Sequence, residues 1–588
     1  MNERWSNLQL AFSIFWNSNP ATASWVIALT VIEGLTPLAL VFTTQFVVTT
    51  YNSGVSFKEW VSGPALVFFG ILIAKHIINL IGNWVQIYHE SSLSDYLDSR
   101  IQEKSATADM IAFESPDFHD RLYRAGFESE DHVLEIVEKL VFLISGGTTL
   151  IGLFWVVSQF GWWLPLLFCA ASIPIFATLI LQAHSKYQWS KSMTQTQRES
   201  RYYNWLLLGD EAAGEIRIFG LKDYFQTKYK KLRKKVLKSK LKLHQSQSIK
   251  TSFANILSMG LLAFGMVIIL QRFQSGDISM GEAALFAHSA MLCLTSVKSI
   301  VGESAGLYRS ALFLTDLHFI LKLEPQITKP SNPASLTQIK NMGIECRNVT
   351  FTYPDSTNPA LNGINLNIPA QKITLLFGEN GSGKSTLSKL ICRFFDPDHG
   401  TITLGDVDLK QFDPEKLRSQ IGVIFQDPVR YYFSAKENIT LGNIHEQFSE
   451  SAFSKATEDA QLGQVLDDLP EAERTKLGRW FEDGTQLSCG QWQRLALGRL
   501  TYSNRPIMIL DEPTSAMDPW TEKLWLQSLK KSAEGKTVLI ITHRLSTAQI
   551  ADHVIVLKHG KVAESGTVEH LKKSKGYFAS IDQNSSST

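Results

Sequence analysis

The sequence predicts an all-α six-helix transmembrane domain with long cytoplasmic helix extensions, followed by an α/β domain built around a P-loop. Three observations lead there. Long apolar stretches crowd the first half of the chain, and prolines break the pattern near residue 325. Beyond that break, an apolar run at 373–377 feeds into Gly378-Glu379-Asn380-Gly381-Ser382-Gly383-Lys384-Ser385-Thr386. At 588 residues the chain is too long for one core. A net charge of +1 speaks against a nucleic-acid partner. Cys169, Cys293, Cys346, Cys392 and Cys489 are scattered without a CxxC pair, which supports neither a disulfide framework nor a zinc site. The first residues mix polar and aromatic side chains and do not resemble a cleavable signal peptide.

Residues 5–16 set Trp5, Leu8, Phe12, Phe15 and Trp16 at helical spacing, as in a helix lying in a membrane interface; an ordinary amphipathic core helix is the plainer alternative. Six apolar stretches follow, at 21–50, 62–88, 136–158, 162–182, 251–271 and 282–308. Each approaches or exceeds the roughly 20 residues that cross a bilayer as a helix. Spans three and four meet at Gln159-Phe160-Gly161, whereas 183–250 is long and carries 16 Lys and Arg, including the cluster from Lys228 to Lys242. Short outer and long basic inner connections place both termini in the cytoplasm.

Polar residues interrupt the spans. Lys75, His76, Asn79, Asn83 and Gln86 fall largely on one face of span two, and His288, Thr295, Ser299 and Glu303 on one face of span six. A charge at mid-bilayer costs about 2.5–3.5 kcal/mol on insertion scales, so such groups face protein or water. A polar translocation cavity and inter-helix hydrogen bonding both explain them, and Glu33 is a candidate partner for Lys75. The expected organisation is a transmembrane domain over 1–324, a linker over 325–342, a nucleotide-binding domain over 343–580 and a serine-rich disordered tail over 581–588.

The second half alternates short β-rich runs with helical stretches, and 373–377, 507–510 and 538–542 read as buried strands. The loop after the first of these matches G-x-x-x-x-G-K-[ST], and a helix is expected over 387–393. Gly378, Gly381 and Gly383 let the amides around Asn380 and Ser382 turn toward phosphate oxygens, and Thr386 lies at the helix start. Lys384 would reach the β- and γ-phosphates and Ser385 would bind Mg²⁺. The run 507–510 ends in Asp511 and Glu512; the first would serve the Mg²⁺ shell and the second would polarise the attacking water.

Between the two motifs lies Leu487-Ser488-Cys489-Gly490-Gln491. Here the chain resembles the ATP-binding cassette (ABC) superfamily, whose signature at this place is LSGGQ. Six spans followed by one cassette resemble a half-size exporter over the whole length. The resemblance implies further roles in order: Tyr353 stacks on adenine, Gln426 links Mg²⁺ and water to the membrane domain, Asp518 belongs to the D-loop, and His543 is the γ-phosphate switch. It also implies that Ser488, Gly490 and Gln491 complete the ATP site of a second half-transporter, most simply in a homodimer, with a heterodimer as the alternative. Cys489 replaces the first signature glycine; if that position needs positive φ or close approach to phosphate, a side chain there slows the enzyme.

Two segments resemble the cytoplasmic elbows of exporters: Phe113-Glu114-Ser115-Pro116-Asp117-Phe118 and Gly214-Glu215-Ile216-Arg217-Ile218-Phe219-Gly220. The stretches from Arg430 to Ile439 and from Leu477 to Gly484 are similar to those of bacterial lantibiotic and other peptide exporters. The implied activity is ATP-driven export of a peptide or peptide-like product by alternating access, from a bacterial plasma membrane. With the first span beginning near residue 21, no cysteine-peptidase domain is expected ahead of the membrane part, and another protein would remove any leader. A flippase for lipid or lipid-linked sugar, a multidrug exporter, and an ATP-gated channel or regulatory subunit are the competing readings; an amphiphilic small molecule is the alternative cargo to a peptide.

Overall fold

The computed structural model describes residues 2–53, 56–127, 129–209, 212–275, 280–336, 339, 341–354, 356–574 and 576–580. The chain divides into two compact units, one of residues 1–107 and 119–323, the other of 108–118 and 324–588. The expected tail over 581–588 lies outside the described residues.

The first unit is helical: α1 (Asn2–Ser18), α2 (Pro20–Asn52), α3 (Leu66–Thr107), α4 (Ser129–Ser158), α5 (Leu164–Leu208), α6 (Lys222–Gln274) and α7 (Met280–Leu321). Asn19 starts α2 by accepting a hydrogen bond from the Thr22 amide at 3.3 Å, with Pro20 in the first turn, where its missing N–H costs nothing. Among the described residues, five segments are long and apolar enough to cross a membrane: Pro20–Tyr51, Phe57–Thr107, Val133–Ser158, Leu164–Leu208 and Leu285–Tyr308. The remaining expected span, 251–271, lies inside α6, several of whose side chains there fall outside the described residues. At about 1.5 Å per residue, the 53-residue α6 is roughly 80 Å long, far more than the roughly 30 Å of a hydrocarbon core.

Small residues let these helices approach. A Cβ on Gly34 of α2 would lie 2.6 Å from the Ser145 carbonyl oxygen of α4, and Thr149 donates to the Gly34 carbonyl at 2.6 Å. A dry cluster of Val41, Leu153, Val157, Phe168, Phe286 and Cys293 fills the space beside them. Helices α5 and α6 exchange amide bonds, Gln182 to the Gln247 carbonyl at 3.2 Å and Gln247 to the Gln182 carbonyl at 3.3 Å.

The intramembrane polar residues divide between roles. Glu33 does not pair with Lys75; with its amide turned to satisfy both atoms, Asn79 donates to Glu33 at 3.3 Å. Glu303 faces Lys139 at 3.7 Å, and Lys139 binds Glu135 at 2.8 Å. Thr295 spends its hydroxyl on carbonyls of its own helix, while His76 and Asn83 are exposed. On α1, Asn7, Ile14 and Phe15 are buried and Phe12 and Trp16 face outward.

The second unit holds two sheets. Strands β1 (Ile344–Phe351), β2 (Leu361–Ile368), β4 (His399–Leu404) and β5 (Val407–Asp408) form an antiparallel sheet in the order β2-β1-β4-β5. The other sheet has the order β10-β9-β3-β8-β7-β6, with β3 (Ile373–Gly378), β6 (Ile421–Ile424), β7 (Ile507–Asp511), β8 (Thr537–Thr542) and β9 (His553–Lys558) parallel and β10 (Lys561–Gly566) antiparallel at its edge. Its central strands are apolar without alternation, because both faces are covered. Leu375, Phe377, Met508, Leu510, Val538 and Ile540 face one core; Leu376, Ile509, Leu539 and Ile541 face the other.

Candidate active site

The site forms at the carboxyl ends of β3, β7 and β8, where open parallel sheets place their ligands. After β3 the chain turns through Gly381 at φ 77° and Gly383 at φ 100°. A Cβ on Gly383 would lie 2.8 Å from the Ala360 carbonyl oxygen, so the position is closed to any side chain twice over. Gly383 delivers the chain straight into α8 (Lys384–Ile391), which corrects the helix expected over 387–393. Lys384, Ser385 and Thr386 therefore occupy its first turn, where free amides and the helix dipole favour an anion. The helix ends early because Arg393 adopts φ 49°.

Two features of this cradle fit a phosphate chain. The buried Ser382 hydroxyl has no hydrogen-bond partner among the described residues. Lys384 folds back, donating 2.8 Å bonds to the carbonyls of Gly378 and Glu379, and burial lowers its pKa. Asn380 is exposed at the tip of the loop. Ser385 donates to Asp511 Oδ2 at 2.8 Å. Burial raises the Asp511 pKa although that hydrogen bond opposes it, so a bound cation would relieve a buried carboxylate. This donor set suits a hard divalent ion with oxygen ligands.

Glu512 leaves the strand at φ 48°, a left-handed conformation that costs a non-glycine residue on the order of 1–3 kcal/mol. Its amide donates to the Ile541 carbonyl at 2.8 Å, tying the end of β7 to β8. The turn aims its carboxylate between two other expected residues: His543 Nδ1 lies 3.1 Å from Oε1, and Gln426 donates to Oε2 at 3.4 Å. Glu512, Gln426 and His543, each just past the end of a different strand (β7, β6 and β8), thus meet, next to Asp511 at the last position of β7.

Tyr353 packs edge-on against Phe351 and Phe395, with ring centroids 5.2 and 5.8 Å away, and its hydroxyl lies 3.2 Å from Thr386 Oγ1. Lys389 of α8 sits 5.6 Å above its ring and binds Glu114 at 2.8 Å. Burial works against the Lys389 charge, yet the Glu114 bond leaves its pKa raised.

The signature opens α9 (Cys489–Ser503). Ser488 and Gln491 satisfy each other's amides in a reciprocal cap, at 2.8 and 3.2 Å. No hydrogen bond joins them to the phosphate loop among the described residues. Asp518 caps α10 (Pro519–Ser532), accepting from the Trp520 and Thr521 amides at 3.1 and 3.0 Å; the Thr521 hydroxyl bond, first among the causes, lowers its pKa. Its carboxylate is committed to its own helix in this chain.

Sequence reasoning missed Gln493. It is 4% exposed and donates to the Glu512 carbonyl at 3.0 Å and to Ser515 at 3.1 Å, while its oxygen accepts from the Ala516 amide at 3.0 Å. A polar residue on the buried face of a helix, beside Trp492, Leu495 and Ala496, is the signal that would have found it.

Residues 361–515 match the family described as ABC transporter, and residues 24–297 match the ABC transporter transmembrane region. The chain is 26% identical to the subtilin transport ATP-binding protein SpaT of Bacillus subtilis, over 95% of this chain and 91% of that one. It is 23% identical to the nisin transport ATP-binding protein NisT of Lactococcus lactis subsp. lactis, over 98% and 95%. Identity to an ATP-dependent lipid A-core flippase of Pseudoalteromonas translucida is 27%, over 88% and 87%. In fold it is similar to a bacterial Atm1-family ABC exporter solved with ATP bound, at a TM-score of 0.83 and 21% identity, covering 96% of this chain and 98% of that one. The chain belongs to the ABC transporter family, as a half-size exporter that spans the membrane and couples transport to ATP hydrolysis.

Proposed function

We propose that this chain exports a peptide or peptide-like product as one of two halves, with Glu512 as the general base of each ATP site. The observation that carries the catalytic reading is the Glu512 carboxylate held between His543 and Gln426, at 3.1 and 3.4 Å. Tyr353 would stack on adenine, and the amides from Gly378 to Thr386 would wrap the phosphates. Lys384 would exchange two backbone carbonyls for phosphate oxygens. Ser385, Asp511 and Gln426 would hold Mg²⁺, which when bound neutralises charge on the β- and γ-phosphates. Glu512 accepts a proton from water as the water oxygen bonds to the γ-phosphorus. The bond from that phosphorus to the bridging oxygen breaks, and ADP leaves with the electron pair. His543 donates to the γ-phosphate oxygens and keeps Glu512 in register.

Ser488, Gly490 and Gln491 sit at the start of α9, where amides and helix dipole favour a γ-phosphate. The family resemblance supports their completing the ATP site of a second half-transporter, and a homodimer is the simplest such unit. The 16 cationic residues of 183–250 support cytoplasmic termini in a bacterial plasma membrane.

For the cargo, support comes from alignment of nearly the whole chain with the subtilin and nisin transport proteins. The lipid A-core flippases among the relatives support a lipid as the second reading. The test is ATPase activity and uptake in sealed vesicles, with a panel of modified bacterial peptides in one arm and lipid A-type glycolipids in the other. Stimulation by a peptide with its accumulation in the lumen is expected. A response to the glycolipid alone would replace the peptide reading.

A further inference from the structure

Glu522 of α10 is a carboxylate only 6% exposed, on the helix face that also buries Trp525 and Leu526. An apolar side chain would fill that position without the desolvation cost of a charge. The partners of Glu522 show what the carboxylate does there. Oε2 accepts from Arg544 Nη1 at 2.5 Å, and Oε1 accepts from the Ser546 hydroxyl at 2.7 Å and the Thr514 hydroxyl at 3.4 Å. Arg544 in turn donates through Nη2 to the Ser515 carbonyl at 3.1 Å.

Each of these partners flanks a residue of the reacting centre. Thr514 and Ser515 follow Glu512 by two and three positions; Arg544 and Ser546 follow His543 by one and three. The two loops carry the base and the switch, whose side chains meet at 3.1 Å. Glu512 itself holds a strained left-handed backbone, which persists only where its surroundings over-determine it. Gln493 fixes that loop from the α9 side, and Glu522 with Arg544 fixes it from the opposite loop. None of the Glu522 partners belongs to the phosphate loop or to Tyr353.

We propose that Glu522 is the positioning residue that sets the spacing of Glu512 and His543, so that hydrolysis, and not ATP binding, depends on it. This rests on Glu512 as the base and His543 as the switch. Arg544 is the arm through which it acts, because its planar fork reaches Glu522 and the Ser515 carbonyl at once, a geometry an ammonium does not reproduce.

The test uses the full-length protein in lipid and compares Glu522→Gln and Arg544→Lys with the parent. Steady-state kcat and KM for ATP are measured together with ATP affinity under non-hydrolysing conditions and thermal unfolding. Both substitutions are expected to lower kcat about tenfold while KM and affinity stay within about twofold. The double variant is expected to be no slower than the slower single one, because the two residues act as one unit. A kcat within about twofold of the parent in both variants overturns the proposal, as does ATP affinity falling in step with kcat. Should Glu522→Gln not fold, Arg544→Lys, which keeps the charge, decides. Glu512→Gln run in parallel separates the two claims: sustained turnover in that variant removes the assignment of the base, whereas the Glu522 result is read from the split between kcat and affinity.

Discussion

A Cβ atom on Gly490 would lie 2.8 Å from the carbonyl oxygen of Ala516, so the second signature glycine is required by the backbone of the D-loop. Cys489, one residue earlier, opens α9 without a positive φ and with its side chain exposed. The strain expected for a side chain at the first signature glycine is therefore absent on the backbone side, and Arg430 Nη2 even lies 3.7 Å from the thiol sulfur.

The two positions should thus respond unequally to substitution, Gly490 to a methyl group gained and Cys489 to its side chain lost. Gly490→Ala pushes a Cβ against backbone that cannot give cheaply, an overpacking cost of about 1–3 kcal/mol, and a kcat reduction of about tenfold is expected. Cys489→Gly should leave kcat within about threefold. Steady-state ATPase assays of the two purified variants check this, and equal losses would contradict it.

Gln493 is the hinge pin behind Glu512. Gln493→Leu keeps most of the volume but strips three partners, the Glu512 carbonyl, the Ser515 hydroxyl and the Ala516 amide. Glu512 is half-buried and Ser515 and Ala516 are exposed, so each lost hydrogen bond costs about 0.5–1.5 kcal/mol. The thermal midpoint should fall, and ATP turnover should fall further than ATP affinity. Denaturation curves and nucleotide-binding isotherms on one preparation test both parts.

Asp511 gives a pH dependence with a definite sign. Burial raises its pKa, so the folded protein binds a proton there at a higher pH than an ordinary aspartate does. The protonated form cannot hold a cation, and Mg²⁺-dependent turnover is lost as pH falls through the raised pKa. Proton and metal compete, so a tenfold increase in Mg²⁺ should move the acid limb of the kcat profile down by about one unit. A limb insensitive to Mg²⁺ would assign it elsewhere.

Tyr577 donates to Glu379 of the phosphate loop at 2.7 Å, and that bond, its main cause, raises the phenol pKa. Raised above its unfolded value, the group contributes stability below the ordinary tyrosine pKa and loses it as pH rises through the folded one. Tyr577→Phe is expected to lower stability by no more than about 1 kcal/mol at neutral pH. The difference between variant and parent should vanish in strongly alkaline solution, which paired unfolding curves at two pH values will show.

Legibility in the sequence followed how local each feature is. The phosphate loop, Asp511 and Glu512 each sit in one short segment with a buried strand on one side, and the strands at 373, 507 and 538 stand out as unbroken apolar runs. What joins segments could not be read. Gln493 and Glu522 matter through partners between 8 and 24 residues away; a polar residue among apolar helix neighbours marks Gln493, but no linear pattern names the partners of either. Asp518 shows a local role that is legible directly: an aspartate before proline and a helix caps that helix. In the membrane part, helical spacing identified the polar face of span two but not its partner, and Asn79 rather than Lys75 meets Glu33. The start of α8 was missed because a left-handed glycine permits an abrupt turn that apolar periodicity does not register.

The most direct test of the account is single-turnover and steady-state ATPase measurement on Glu512→Gln in lipid, alongside equilibrium ATP binding. The substitution keeps the hydrogen-bonding shape between His543 and Gln426 but removes the basic carboxylate. ATP affinity is expected to stay within about twofold while sustained turnover falls by about two to four orders of magnitude, the usual weight of a general base. Turnover near the parent rate, with ATP bound normally, would contradict the central claim that Glu512 activates the attacking water.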